Sequence, residues 1–390
     1  MIVMDQNQKT VPFTVNNKEI TAARMAFFIP SFAMSTWAPM IPIVKARLNL
    51  DADILGILLL CIGVSALVVM PVSSMLARQF GCRTVIAAGG VLSGVSLVPL
   101  SFLDSVLGYG IVLLLFGAAL GIADVTMNIN AVVVEIAAKR RLLSSMQAFW
   151  SIGCLTGVGC FAFLASFGMS VEMIAILHSL AILAIVGYYG RGWLTYRSEN
   201  TKKTFVMPRG IISIFGIVMG ILFLVEGAVM DWSGILLTEE KHIDISLAGI
   251  GYALFSAATL FMRLLGDKIV HMLGEKTVLL GGSVLAMIGV SILAWSDSIY
   301  LSGTSFALIG IGCANIIPII YSMVKYQKTM PIGDAVASIS CIGYIGVILG
   351  PALLGFVAQT IDINAVFEML VWLMLLEAGL AKYIFIRLER

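Results

Sequence analysis

The feature that most limits what this chain can become is a succession of apolar runs, each about as long as a bilayer is thick, parted by very short polar breaks. A hydrocarbon core about 30 Å thick takes about 20 residues of helix per crossing. Runs of that length fall near residues 24–46, 54–77, 83–103, 107–136, 143–167 and 170–193, then near 209–237, 246–270, 275–296, 298–325, 334–360 and 363–387. Sixty per cent of the residues are apolar and 12% are charged, against about 25% charged in a soluble domain. The expected fold is an all-α membrane protein of twelve transmembrane helices, in two six-helix bundles related by a pseudo-twofold axis.

Residues 1–23 are polar and lack the apolar core of a removable signal peptide, so they read as an N-terminal tail. Residues 24–193 form the first bundle and 209–390 the second. The polar stretch TYRSENTKKTFVMPR (195–209) places the linker at 194–208. The six cysteines fall in spans or in a loop on the cytoplasmic side, with no CxxC or His-rich spacing, and read as packing residues. No metal and no cofactor is expected. A net charge of +2 with no large extramembrane domain gives no reason to expect nucleic acid.

Charge position tests the count, because a miscounted span would scramble lysine and arginine between the two sides. With both termini in the cytoplasm, every basic residue except Lys45, Arg47 and Lys241 lands on the cytoplasmic side, including Arg78, Arg83, Lys139 to Arg141 and Lys325. The outer loops carry mainly acids: Asp51, Asp53, Asp104, Glu172, Glu239, Glu240, Asp244, Asp297 and Asp362. Trp193, Trp232 and Trp295 stand near span ends, where an interfacial aromatic belt would put them. The expected location is a bacterial inner membrane.

The halves repeat one another. FGCRTVIAAGG (80–90) between the second and third spans matches LGEKTVLLGGS (273–283) between the eighth and ninth. GIAD (121–124) in the fourth span matches GCAN (312–315) in the tenth. Equivalent places in the same orientation imply a parallel repeat, an architecture common among secondary transporters.

Several segments resemble the major facilitator superfamily, in its bacterial branch similar to fucose permease and uncharacterised inner-membrane relatives. They are ADVTMNINAVVVE (123–135), SSMQAFWSIGCLTG (144–157), EGAVMDWSGILL (226–237), RLLGDKIVHMLG (263–274) and IGYIGVILGP (342–351). SSMLARQFGCR (73–83) is similar to the family's loop signature, with Ser74 in place of its first glycine and Arg78 in place of its aspartate. Gln147 stands where this branch usually has histidine, and the first span lacks the acid that fucose permease carries there, which argues against fucose itself as solute. The resemblance implies gating roles around Arg78, Gly81 and Arg83, and a key acid at Asp124.

Ionisable groups deep in a membrane cost roughly 3 kcal/mol each on insertion scales, so each is a functional candidate. Asp124 lies near the middle of the fourth span, and Asn128, Ala131 and Glu135 share its face at helical spacing. Glu226 lies near the middle of the seventh span. Asp231, five residues on, points elsewhere in an unbroken helix and is placed beside the outer mouth. Asp124 and Glu226 are the expected proton-coupling groups, with Glu135 among the gating residues. Trp37, Asn128, Gln147, Trp150, Asp231, Tyr252, Asn315, Tyr321 and Tyr344 are the candidate solute contacts, since aromatic faces with polar tips suit a polar organic solute. Arg263 and Asp267, four apart at the cytoplasmic end of the eighth span, read as a gate-stabilising pair. His178 reads as a packing residue, and Glu368 and Glu377 as partners of neighbours or an oligomer contact.

There is no GxxxxGK[ST] loop, so ATP is not the energy source. No His/Asp or Ser/His pairing stands at a span end, which argues against an enzyme. The expected function is alternating-access transport of a small polar organic solute, coupled to protons, by a monomer embedded in lipid. Proton-driven efflux uses the same parts, and a lipid translocator or sensor is the rival reading.

Overall fold

The computed structural model describes residues 15–49, 52–197, 208–242, 250–296 and 298–388. The first half comprises α1 (Asn17–Trp37), α2 (Met40–Arg47), α3 (Ala52–Phe80), α4 (Cys82–Phe102), α5 (Val106–Ala138), α6 (Leu143–Ser166) and α7 (Val171–Tyr189). The second comprises α8 (Ile211–Ile235), α9 (Ile250–Leu273), α10 (Glu275–Trp295), α11 (Ile299–Cys313), α12 (Ile316–Met323), α13 (Ile332–Thr360) and α14 (Ile363–Leu388). Helix pairs α1/α2 and α11/α12 each make one crossing, which gives twelve. Among the described residues, ten crossings are long and apolar enough to span a membrane by composition. The other two are the interrupted α1/α2 and α9, which carries Arg263, Asp267 and Lys268. The tail before residue 15, most of the linker, and Asp51, Asp244 and Asp297 lie outside the described residues.

The repeat seen in the sequence is a repeat of packing. In the first half α1 packs on α6, α3 on α5, and α4 on both α5 and α7. In the second, α8 packs on α13, α9 on α11, and α10 on both α11 and α14. The GxxTV matches explain part of this. Gly81 and Gly274 sit at φ 82° and 81°, a left-handed conformation that favours glycine, and each N–H closes the preceding helix at 3.0 Å, on Ala77 and Val270 respectively. Both loops therefore turn the chain identically into α4 and α10. Small residues then let backbones approach, as membrane helices require: a Cβ on Gly117 would stand 2.3 Å from the Ile62 carbonyl, and one on Gly310 2.4 Å from that of Phe255.

Two crossings are broken, and proline accounts for both. Pro39, which lacks an N–H, heads α2 after a turn at Ala38. Pro318 in α12 removes the N–H that would bond the carbonyl four residues earlier, that of Ala314, and the chain turns at Ala314 and Asn315. Broken backbone at membrane depth persists only where protein or a cavity satisfies it.

The outer flanks carry large exposed apolar side chains, among them Val68, Leu107, Phe163, Phe261 and Phe356. So many exposed large apolar side chains suit lipid, not water. The aromatic belt is only partly as expected. Trp295 is exposed and donates to Glu368 at 3.1 Å. Trp193 is fully buried and donates to the Ala22 carbonyl at 2.7 Å, so it fastens the end of the first bundle instead of marking an interface.

The two halves meet along α3 with α13 and along α6 with α9. Gly266 lies in the second of these seams, where a Cβ would stand 2.0 Å from Asn315 Oδ1 and 2.6 Å from Ser144 Cβ. Gly266→Ala is expected to lower the thermal midpoint of the purified protein, at an overpacking cost of about 1–3 kcal/mol. Gly281→Ala, where a Cβ meets nothing within 4 Å, is expected to leave it unchanged or raised; equal midpoints for the two variants would contradict this packing.

Candidate functional site

Asp124 sits near the middle of α5 and faces the other half. Its carboxyl has the Ser340 hydroxyl of α13 as a hydrogen-bond partner. Ser340 Oγ also lies 2.7 Å from the Tyr321 hydroxyl of α12. Tyr344 and Cys341 of α13 are within electrostatic reach of the same carboxyl, and Tyr344 packs edge-on against Phe223. Below Asp124 on its own helix, Asn128 donates to the Asp124 carbonyl at 2.9 Å and accepts from Gln147 at 3.5 Å. Asp124, Asn128, Gln147, Tyr321 and Tyr344 are thus brought together.

A second cluster forms around Arg263. Its Nε donates to the Ala314 carbonyl at 3.3 Å, the group that Pro318 leaves unbonded. One Nη donates to Ser151 of α6 at 3.2 Å and the other pairs with Glu226 of α8 at 3.4 Å. Tyr252 on α9, with Ser256 as a partner, is within reach of Glu226, Asp231 and Cys154. Asp231 is exposed, and Trp150 on α6 is half-buried. The sequence pairing of Arg263 with Asp267 is therefore corrected. Arg263 lies deeper than the loop and takes partners on three other elements. Asp267 instead accepts the backbone N–H groups of Ser144 and Ser145, at 2.9 and 3.1 Å, in the first turn of α6. Free amides at a helix start are ready anion sites, and they take precedence over a same-helix arginine.

Two further expected contacts stand elsewhere. Trp37 is 2% exposed, packs on Tyr109 with ring centres 5.9 Å apart, and its Nε1 has no partner; the break after α1 turns it into the first bundle. Asn315 is buried, donating to the Met262 carbonyl at 3.4 Å against Gly266. His178 is a core residue, with Nδ1 2.8 Å from the Thr36 hydroxyl and its ring on Phe32.

The halves are clasped on the face that carries the basic loops. Arg78 pairs with Asp334 in the first turn of α13, and Ser74 donates to the same carboxylate at 3.1 Å. Arg141 pairs with Glu275 and donates to Ser322 at 2.7 Å. Glu135 receives the backbone N–H groups of Leu142 and Leu143, the Ser322 hydroxyl and, at 3.1 Å, Lys325. Glu135 therefore lies inside this joint, beside a small pocket also lined by Arg141, Ser144, Asp267 and Ser322. Arg83 makes its bonds within the first half, to the carbonyls of Trp193 and Arg191, both at 2.8 Å. Asp334, Glu275, Ser322, Ser340 and Ser151 escaped the sequence reading. Acids on a face otherwise basic were the signal available for the first two.

Among the described residues no group of three or more His, Cys, Asp and Glu is placed to hold a metal ion. Two six-helix bundles packed by the same rule, with Asp124 and the Glu226–Arg263 pair among the buried polar groups of their helices, have the architecture of a membrane transporter. An uncharacterized MFS-type transporter of Yersinia pestis is 38% identical over 363 residues, covering 93% of this chain and 94% of its own length. The chain belongs to the major facilitator superfamily. The Escherichia coli fucose:proton symporter FucP has the same fold, with a TM-score of 0.74 at 13% identity over 94% of this chain and 98% of its own. So has the proton:xylose symporter XylE, with a TM-score of 0.73 at 12% identity over 93% and 94%. No protein-family model matches the chain.

Arg78 and Asp334 are 8% and 4% exposed at their side chains, so removing one partner strands a buried charge. Arg78→Ala and Asp334→Ala are each expected to destabilise the protein by about 3–5 kcal/mol. The double variant should lose less than the sum of the two, read as thermal midpoints in a double-mutant cycle. Additive losses would mean that the pair does not join the halves.

Proposed function

We propose that this protein is a proton-coupled secondary transporter of a small polar organic solute in a bacterial inner membrane. It works as a monomer, with both termini and the basic face in the cytoplasm. The lysine and arginine excess on that face supports the orientation. The tail at 1–23, bundles at 24–193 and 209–390, and linker at 194–208 are the corresponding domains. The clasp of Arg78, Glu135, Arg141 and Asp267 with the opposite half then corresponds to a state closed toward the cytoplasm.

The observation that carries the reading is Asp124, a carboxyl at mid-depth whose hydrogen-bond partner belongs to the other half. A group so placed changes its interactions whenever the halves part. Protonation from outside removes a charge that would otherwise have to be buried as the cavity closes around solute. One proton moving down 100 mV supplies about 2.3 kcal/mol, enough for roughly fifty-fold accumulation of a neutral solute. Glu226 is the second candidate carrier, held by Arg263 until a proton or solute competes. Gln147, Asn128, Trp150, Tyr252, Tyr321, Tyr344 and the exposed Asp231 supply hydrogen bonds and faces for the solute. The fucose and xylose symporters that share the fold are carriers of this kind by name.

A thermal-shift screen against sugars, amino acids and nucleosides identifies the solute, because a bound ligand stabilises the folded state. In proteoliposomes Asp124→Asn is then expected to abolish proton-driven accumulation while solute exchange persists; accumulation at the parent level would remove Asp124 from coupling. Glu226→Gln is expected to weaken solute binding severalfold, and an unaltered binding curve would take Glu226 out of the site.

A further inference from the structure

The second bundle contains a carboxyl that the proposed cycle leaves unused. Glu377, near the middle of α14, is fully buried, and neither of its carboxyl oxygens has a hydrogen-bond partner. Burial inside the bundle also removes it from any oligomer contact.

The internal repeat singles this position out. Aligning Gly81 with Gly274 brings Gly90 of α4 onto Ser283 of α10. In the first half Gly90 packs on α7, where an added Cβ would stand 3.0 Å from Val186. In the second half the corresponding seam is α10 on α14, and Ser283 stands against Glu377. A glycine and a valine in one half are thus a hydroxyl and a carboxyl in the other. The Ser283 hydroxyl already donates to the Leu279 carbonyl at 2.9 Å, which leaves it only as an acceptor. An ionised carboxylate needs donors. A carboxylic acid, by contrast, brings its own O–H to that oxygen.

The surrounding charges agree. Helix α10 has only Glu275 and Lys276, at its start, and α13 only Asp334, also at its start. Glu240, beyond α8, is engaged by Asn364 at the far end of α14. On α14 itself Lys382 and Arg387 are exposed toward the basic end and Glu368 bonds Trp295. Helix α8, which also packs on α14, carries Glu226, paired with Arg263, and the exposed Asp231, and the Cys313 thiol of α11 lies within electrostatic reach of Glu377, Glu226 and Arg263.

We propose that Glu377 is a second proton-binding site, enclosed in the second bundle away from the solute and exchanging its proton with solution. Its part in transport rests on the proton-coupled reading above; its occupancy by a proton does not. Infrared difference spectra of the full chain in lipid, parent minus Glu377→Gln at neutral pH, are expected to show the C=O stretch of a protonated carboxyl. That band should give way to carboxylate stretches as pH is raised. A difference showing carboxylate alone at neutral pH overturns the site, and so does a band unchanged up to the pH of unfolding, which would mean a locked proton. Should Glu377→Gln not fold, Glu377→Asp supplies the same difference through its shifted C=O frequency. Because no solute is needed, the band appearing also in Asp124→Asn separates this site from the fate of coupling at Asp124.

Discussion

A guanidinium deep in a membrane protein is tolerated only if its donors and its charge are met on the spot. Arg263 meets that condition by joining three things that have separate causes. Pro318 frees the Ala314 carbonyl and Arg263 takes it; Ser151 belongs to the other half; Glu226 supplies the counter-charge. The broken tenth crossing, the seam between α6 and α9, and the acid of α8 are therefore one assembly. Repacking any of them requires Arg263 to find new partners, and this ties a local change in the cavity to the relation of the halves.

How much of this was legible depended on whether local or crossing-helix interactions decide. The spans were legible because the bilayer demands length and hydrophobicity of each run separately. The GxxTV matches were legible because a glycine with positive φ has little choice of partner or shape. Pairings across helices were not. Arg263 and Asp267 share a helical face, yet each is claimed by backbone groups that become available only through tertiary structure: a carbonyl bared by Pro318, and the first amides of α6. Trp37 failed for a related reason, since the turn at Ala38 and Pro39 redirects the residue before it. Asp124 was legible, being an acid in an apolar run; Ser340, its partner, was one hydroxyl among many.

The repeat clarifies where the halves have diverged. Asp124 and Asn315 occupy matching places, but α5 runs straight through while the second half breaks there, with Met127 matched by Pro318. The first half thus keeps a carboxyl on a continuous helix. The second keeps a bared carbonyl, an arginine to hold it and a second acid. Chemistry was added unequally to a shared frame.

The joint on the basic face is sorted by charge. Among the described ion pairs and amide contacts, Asp267, Glu275 and Asp334 come from the second bundle and Arg78, Arg141 and the first amides of α6 from the first, while the Glu135–Lys325 pair runs the other way. Two copies of the first bundle brought face to face would leave Arg78 and Arg141 without Asp334 and Glu275, and two copies of the second would leave those acids without their arginines. The duplicated halves are consequently no longer self-complementary. At this joint each half is complementary in charge to the other and not to itself.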